Sequence, residues 1–149
     1  MSEHDFLKHL RKDHNEQKKT GKKLTEAKKP EQREKLRQQF YDSLYPHMIG
    51  EEASIFQFLK NSDEEGAKED GLESLQEHHV GKIVLRELMK INTQSPIFKA
   101  KAKVLDELNR HHIEEEEKAV FAHLCKLCDN KKLDSLFKQY EEAEEKVQS

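Results

Sequence analysis

Four times along this chain a histidine occupies a position where helical periodicity calls for an apolar core residue. In the first segment Phe6, Leu7, Leu10, Gln17, Gly21 and Leu24 trace one stripe, and His14 lies on it. In the second, Leu36, Phe40, Leu44, Met48, Ile55 and Leu59 share a stripe with His47 and Glu51. His78 aligns with Leu75, Leu85 and Met89, while His112 aligns with Ala102, Leu105, Leu108, Glu116, Val120 and Leu127. A carboxylate or imidazole buried alone loses roughly several kcal/mol, so a fold that buries all of them must give them common compensation. Helices packed around a shared polar centre meet that demand.

The bulk of the chain agrees. Its 149 residues make one domain. Hydrophobic residues are only 34% and charged residues 38%, a balance suited to long amphipathic helices with thin buried stripes. Five Gly and three Pro argue against an all-β or loop-rich chain, and runs of Glu, Lys, Leu, Ala and Gln favour helix. The pattern predicts a helix over residues 2–29, N-capped by Ser2 and ended by Pro30, and a second starting at Pro30 and kinked at Pro46. A polar connection is expected over 61–71, a third helix over 72–91, a turn over 92–96 and a fourth helix over 97–128. A tail helix over 133–147, carrying Leu136, Phe137 and Tyr140, is expected to pack on an end of the bundle. The expected fold is therefore all-α: an up-down-up-down four-helix bundle over 1–129 with a short C-terminal fifth helix in 130–149.

Residues 47–56 and 112–121 repeat one pattern, H-x3-E-E-x-[AS]-[IV]-F. A His and a Glu four residues apart stand on one helix face about one turn from each other. Imidazole nitrogen and carboxylate oxygen are ligands for iron, zinc and other transition metals, and a carboxylate can bridge two ions. A cation would remove the cost of burying the whole set. The candidate ligands are His14, His47, Glu51, His78, His112 and Glu116. His78 is preferred over His79, whose face carries Arg86 and Lys90.

Asp13-His14, His47-x3-Glu51-Glu52, Glu77-His78 and His111-His112-x3-Glu116-Glu117, spread over about residues 4–127, together resemble the hemerythrin-like HHE cation-binding domain. The resemblance implies that His14, His47, His78 and His112 are terminal imidazole ligands. It implies that Glu51 and Glu116 are shared by two iron ions, with an oxo or hydroxo bridge between them. Oxygen-carrying members place a second His one turn further along the third helix, where this chain has Lys82. One coordination position is then open, or filled by water, Glu77 or His79. The carriers also space His and carboxylate five apart on the fourth helix; here His112–Glu116 is four, while His111–Glu116 and His112–Glu117 are five.

These residues predict a non-haem di-iron protein that engages dioxygen, nitric oxide or a related oxidant, or senses iron or redox status. The alternatives are a di-iron oxidase or peroxidase and a metal-stabilised interaction module. Lys18, Lys19, Lys22, Lys23, Lys28 and Lys29 alternate with polar residues without aromatics, and are expected to form a solvated face, with no nucleic-acid partner. With no apolar run of about 20 residues and no signal-like N-terminus, no membrane partner and a cytoplasmic location are expected. Cys125-x-x-Cys128 is expected to be two small residues at a helix end, not a redox pair. Tyr41 and Tyr45 are expected in ordinary core or surface roles.

Overall fold

The computed structural model describes residues 3–148, and among these every regular element is helical. Four long helices form the bundle: α1 (Asp5–Glu26), α2 (Pro30–Ala53), α4 (Glu65–Lys90) and α5 (Phe98–Glu115). A short α3 (Ile55–Lys60) continues α2 after a break. After α5, a wide π-helical turn (Glu116–Val120) leads into α6 (Phe121–Leu127), and α7 (Asn130–Gln148) returns along the bundle. The four long helices close a ring in which α1 packs on α2, α2 on α4, α4 on α5 and α5 on α1.

Local chemistry accounts for most ends. The expected cap Ser2 lies outside the described residues; the cap of α1 is the His4 ring, whose Nδ1 accepts from the Phe6 amide. Pro30 biases the preceding residue to extended backbone, and Lys29 is extended. The connection before α4 is shorter than expected. Glu64 caps α4 by accepting from the amides of Gly66 and Ala67, so the helix begins at Glu65, and both Gly66 and Gly71 lie inside it. At Gly71 a Cβ would stand 2.8 Å from Leu59 Cβ, so the glycine there serves the close approach of α3 and not a loop. Helix α2 runs continuously through Pro46, and the interruption falls at Ser54, whose φ is −122° and ψ −90°.

The core is divided. One apolar cluster contains Phe6, Leu10, Phe56, Phe121, Leu124 and Leu136; the other contains Leu24, Phe40, Leu44, Leu85, Phe98 and Leu105. Between them lies a buried layer made mostly of polar side chains. The α5 stripe departs from expectation at one place: Asn109 is buried, and Leu108 is 40% exposed.

Helix α7 does not sit on an end of the bundle. It lies against α2, and Tyr140 is fully buried there over Gly50. A Cβ at Gly50 would meet the Tyr140 ring at 2.6 Å. No helix among the described residues is long and apolar enough to cross a membrane.

Gly50→Ala is expected to cost about 1–3 kcal/mol in urea unfolding, because α7 must move off α2. Gly66→Ala, whose Cβ would stand 3.2 Å from the capping Glu64 carboxylate and 3.6 Å from His123 Cε1, should cost less, within about 1 kcal/mol of wild type.

Candidate metal centre

Each long helix turns one histidine into the polar gap between the two apolar clusters. The rings of His14 and His47 lie 4.9 Å apart, and those of His78 and His112 lie 4.6 Å apart. Glu51 and Glu116 stand between the two pairs. Glu51 Oε1 is 3.2 Å from His47 Nε2 and 3.3 Å from His78 Nε2, while its Oε2 is 3.8 Å from His14 Nε2. Glu116 places Oε2 at 3.2 Å from His14 Nε2 and Oε1 at 3.1 Å from His112 Nε2. The structure thus brings together all six candidate residues, every one of them buried. His14, His47, Glu51 and Glu116 form one group with metal-ligand spacing, and Glu51, His78 and His112 form another.

The outward nitrogens are held in a cyclic pattern. Nδ1 of His47 is 3.0 Å from Asp13 of α1, and that of His78 is 3.0 Å from Glu52 of α2. Nδ1 of His112 is 2.8 Å from Glu77 of α4, and that of His14 is 2.7 Å from Glu117 of the π turn. Each helix supplies an imidazole and an acid for the imidazole of a neighbour, and the ring closes. All four acids are held below the usual carboxylate range. For Glu77 and Glu117 the imidazole hydrogen bond is the leading cause; for Asp13 and Glu52, burial opposes the shift and the hydrogen bonds outweigh it. An ionised carboxylate only accepts, so each Nδ1 carries the proton and each Nε2 turns a lone pair inward.

Those inward atoms lack ordinary partners. Nε2 of His14 and His47 and both oxygens of Glu51 and Glu116 are buried with no hydrogen bond. His78 Nε2 and His112 Nε2 lie 3.1 Å apart, so one proton between them is the partner each offers the other. A buried convergence of acceptors is costly unless something positive sits among them, and N and O donors of this kind suit a transition-metal cation. The residues fit that role.

Without a cation, protons fill in. Burial alone would push His47 down, but the charge of Glu51 close by and the hydrogen bond to Asp13 outweigh it and hold it at about 9. His112 is likewise lowered by burial and raised more by Glu116 and Glu77, to about 10. Glu51 is held well below the usual carboxylate range: burial opposes this, and the charge of His47 outweighs it.

The hemerythrin HHE cation-binding domain family matches residues 5–124. The chain belongs to that family. No curated protein and no solved structure matches it significantly. Within this hemerythrin-family chain, the alternatives left open by the motifs divide cleanly. Glu77 and Glu117 serve as hydrogen-bond acceptors for His112 and His14. His79 and His111 are exposed. Lys82 reaches Glu52 at 2.8 Å, steadying the acid that holds His78.

Two residues were missed from the sequence. Tyr140, on the helix beyond the matched region, lies 2.9 Å from His47 Nδ1 and donates to Asp13 at 2.7 Å. Its signal was a phenol on the apolar stripe of Leu133 and Leu136, the same irregularity that marks the histidines. Asn109, bonded to Gln17, was passed over for Leu108. Tyr41 and Tyr45 stack on each other at 5.2 Å. The two cysteines are free, and burial pushes the Cys128 thiol up, opposite to an activated thiolate.

Glu52→Ala and Glu77→Ala should each weaken metal affinity about ten- to hundred-fold, whereas His79→Ala and His111→Ala should leave it unchanged, as read by competition with a chelator. A second test follows from the histidines. The pKa values of His47 and His112 are higher folded than unfolded, so these two stabilise the metal-free chain fully below about pH 6.5, and that stabilisation fades as pH rises through about 9–10. Melting temperature should therefore fall over that interval in metal-free protein and stay much flatter in metal-loaded protein.

Proposed function

We propose that the centre holds two iron ions and binds a small oxygen-bearing ligand or oxidant. The single observation that carries this is the position of the two carboxylates. Glu51 and Glu116 each approach imidazoles of both pairs, as residues shared by two cations would. His14 with His47 would hold one ion, and His78 with His112 the other. Iron, when bound, supplies the redox and ligand-binding chemistry. The chain supplies lone pairs fixed by the acid ring, a water-poor setting between two apolar clusters, and compensation for two buried negative charges.

Size favours a small ligand over an organic substrate. The cavity touching His78 and His112 has a volume of about 10 Å³, space for one water-sized group. It is bordered by His78 and Gly81 of α4 and by Leu105, Asn109 and His112 of α5, next to the second imidazole pair. The larger hollows lie elsewhere on the surface, one of them against Lys23, Gln32, Lys35 and Gln39. Reversible binding, sensing and peroxide removal all suit a site of this size; steady peroxide turnover would mark the enzyme.

An anaerobic ferrous titration tests the proposal. Wild type should take up about two irons per chain, and Glu51→Ala one or none. Then exposure to oxygen should produce an optical change in the loaded wild type. One equivalent in wild type, or an unaltered stoichiometry in Glu51→Ala, contradicts the shared-carboxylate centre.

A further inference from the structure

Among the described residues, the buried side-chain atoms without a hydrogen-bond partner are those of His14, His47, Glu51 and Glu116, together with one more: Nε2 of Gln17. Gln17 is 0% exposed and follows His14 by three residues on the same buried face of α1. Its amide therefore belongs to the layer next to the imidazoles. The far side of that amide is committed, because Gln17 Oε1 accepts from Asn109 Nδ2 at 3.1 Å. Asn109 precedes His112 by three residues on α5, in the same layer.

Asn109 also lines the cavity beside His78 and His112. Gly81, one turn after His78, keeps that space open, since a Cβ there would stand 3.1 Å from Met48 Cε. A leucine at positions 17 and 109 would extend the apolar cluster with no orphaned group. An amide pair instead keeps a donor unpaired in a dry interior, which is costly unless an acceptor arrives. The small space that could hold such an acceptor is the cavity that Asn109, the partner of Gln17, lines beside His78 and His112.

We infer that Gln17, oriented by Asn109, donates a hydrogen bond to a small anionic or oxygen-bearing ligand held at the metal centre. The pair selects ligands with a strong acceptor atom, because only these satisfy the waiting N–H. This inference rests on the two-iron centre proposed above.

Azide is a suitable probe. Iron-loaded wild type, Gln17→Leu and the double variant Gln17→Leu/Asn109→Leu are titrated with azide, and the infrared stretch of the bound ligand is recorded. Metal stoichiometry and metal-free melting are measured on the same samples. The double variant leaves neither amide unpaired, so it keeps the fold testable if the single variant is impaired. Both variants are expected to load iron as wild type does, to bind azide about ten- to hundred-fold more weakly, and to shift its stretch. The metal-free double variant should melt no lower than wild type. Unchanged azide affinity and stretch in a normally loaded variant overturn the inference alone, as does loaded wild type that binds no azide. A wild-type chain that takes up no iron overturns the two-iron centre, and the inference with it.

Discussion

The outward proton of each histidine is the constraint on which the rest of this structure depends. A ring nitrogen that donates to an ionised carboxylate is fixed as N–H, and the opposite nitrogen becomes a lone pair aimed the other way. Here four such bonds run from helix to helix around the bundle, His47 to Asp13, His78 to Glu52, His112 to Glu77 and His14 to Glu117. The same bonds tie neighbouring helices together and set the direction of the four Nε2 atoms. Fold and site are therefore coupled. The acids stand next in sequence to the inward residues, so about 100° of helical rotation carries each from the centre to a helix–helix boundary.

Two interruptions make this geometry compatible with the core. In an uninterrupted α-helix, Phe56 and Phe121 would stand nine residues, and so about 180°, away from His47 and His112. They would face solvent. The break at Ser54 and the π turn at Glu116–Val120 rotate the chain so that Ile55, Phe56, Val120 and Phe121 all enter one apolar cluster. Both interruptions fall within the repeated ten-residue pattern: the π turn begins at its first acid, Glu116, and the break at Ser54 comes two residues after its second acid, Glu52. The pattern thus couples an inward imidazole–carboxylate pair to a change of helical phase, in keeping with the frequent use of π turns at functional sites.

Much of this was legible from polar residues standing on apolar stripes. His14, Gln17, His47, Glu51, His78, His112 and Glu116 all fall where periodicity predicts burial, and all are buried. Local chemistry was harder to read. Gly66 and Gly71 suggested a loop, yet Glu64 caps a helix through them and Gly71 answers to Leu59 across the α3–α4 contact. Pro46 is the plain mark in the sequence of α2, whereas Ser54, whose hydroxyl bonds the Gly50 carbonyl within its own helix, looks like any other serine. Leu108 and Asn109 are adjacent, and hydrophobicity favours the wrong one; only the partnership with Gln17 on another helix reverses the choice. Tyr140 is marked locally only as a phenol on an apolar stripe; that it reaches His47 follows from the packing of α7 over Gly50, which no local pattern shows.

The central claim is that two cations share Glu51 and Glu116 between two imidazole pairs. Anomalous diffraction from crystals of the iron-loaded protein, collected at the iron edge, tests it directly. Two peaks inside the bundle are predicted, one bounded by His14 and His47 and the other by His78 and His112, with the two carboxylates between them. A single peak, or iron found only outside this buried layer, would contradict the account.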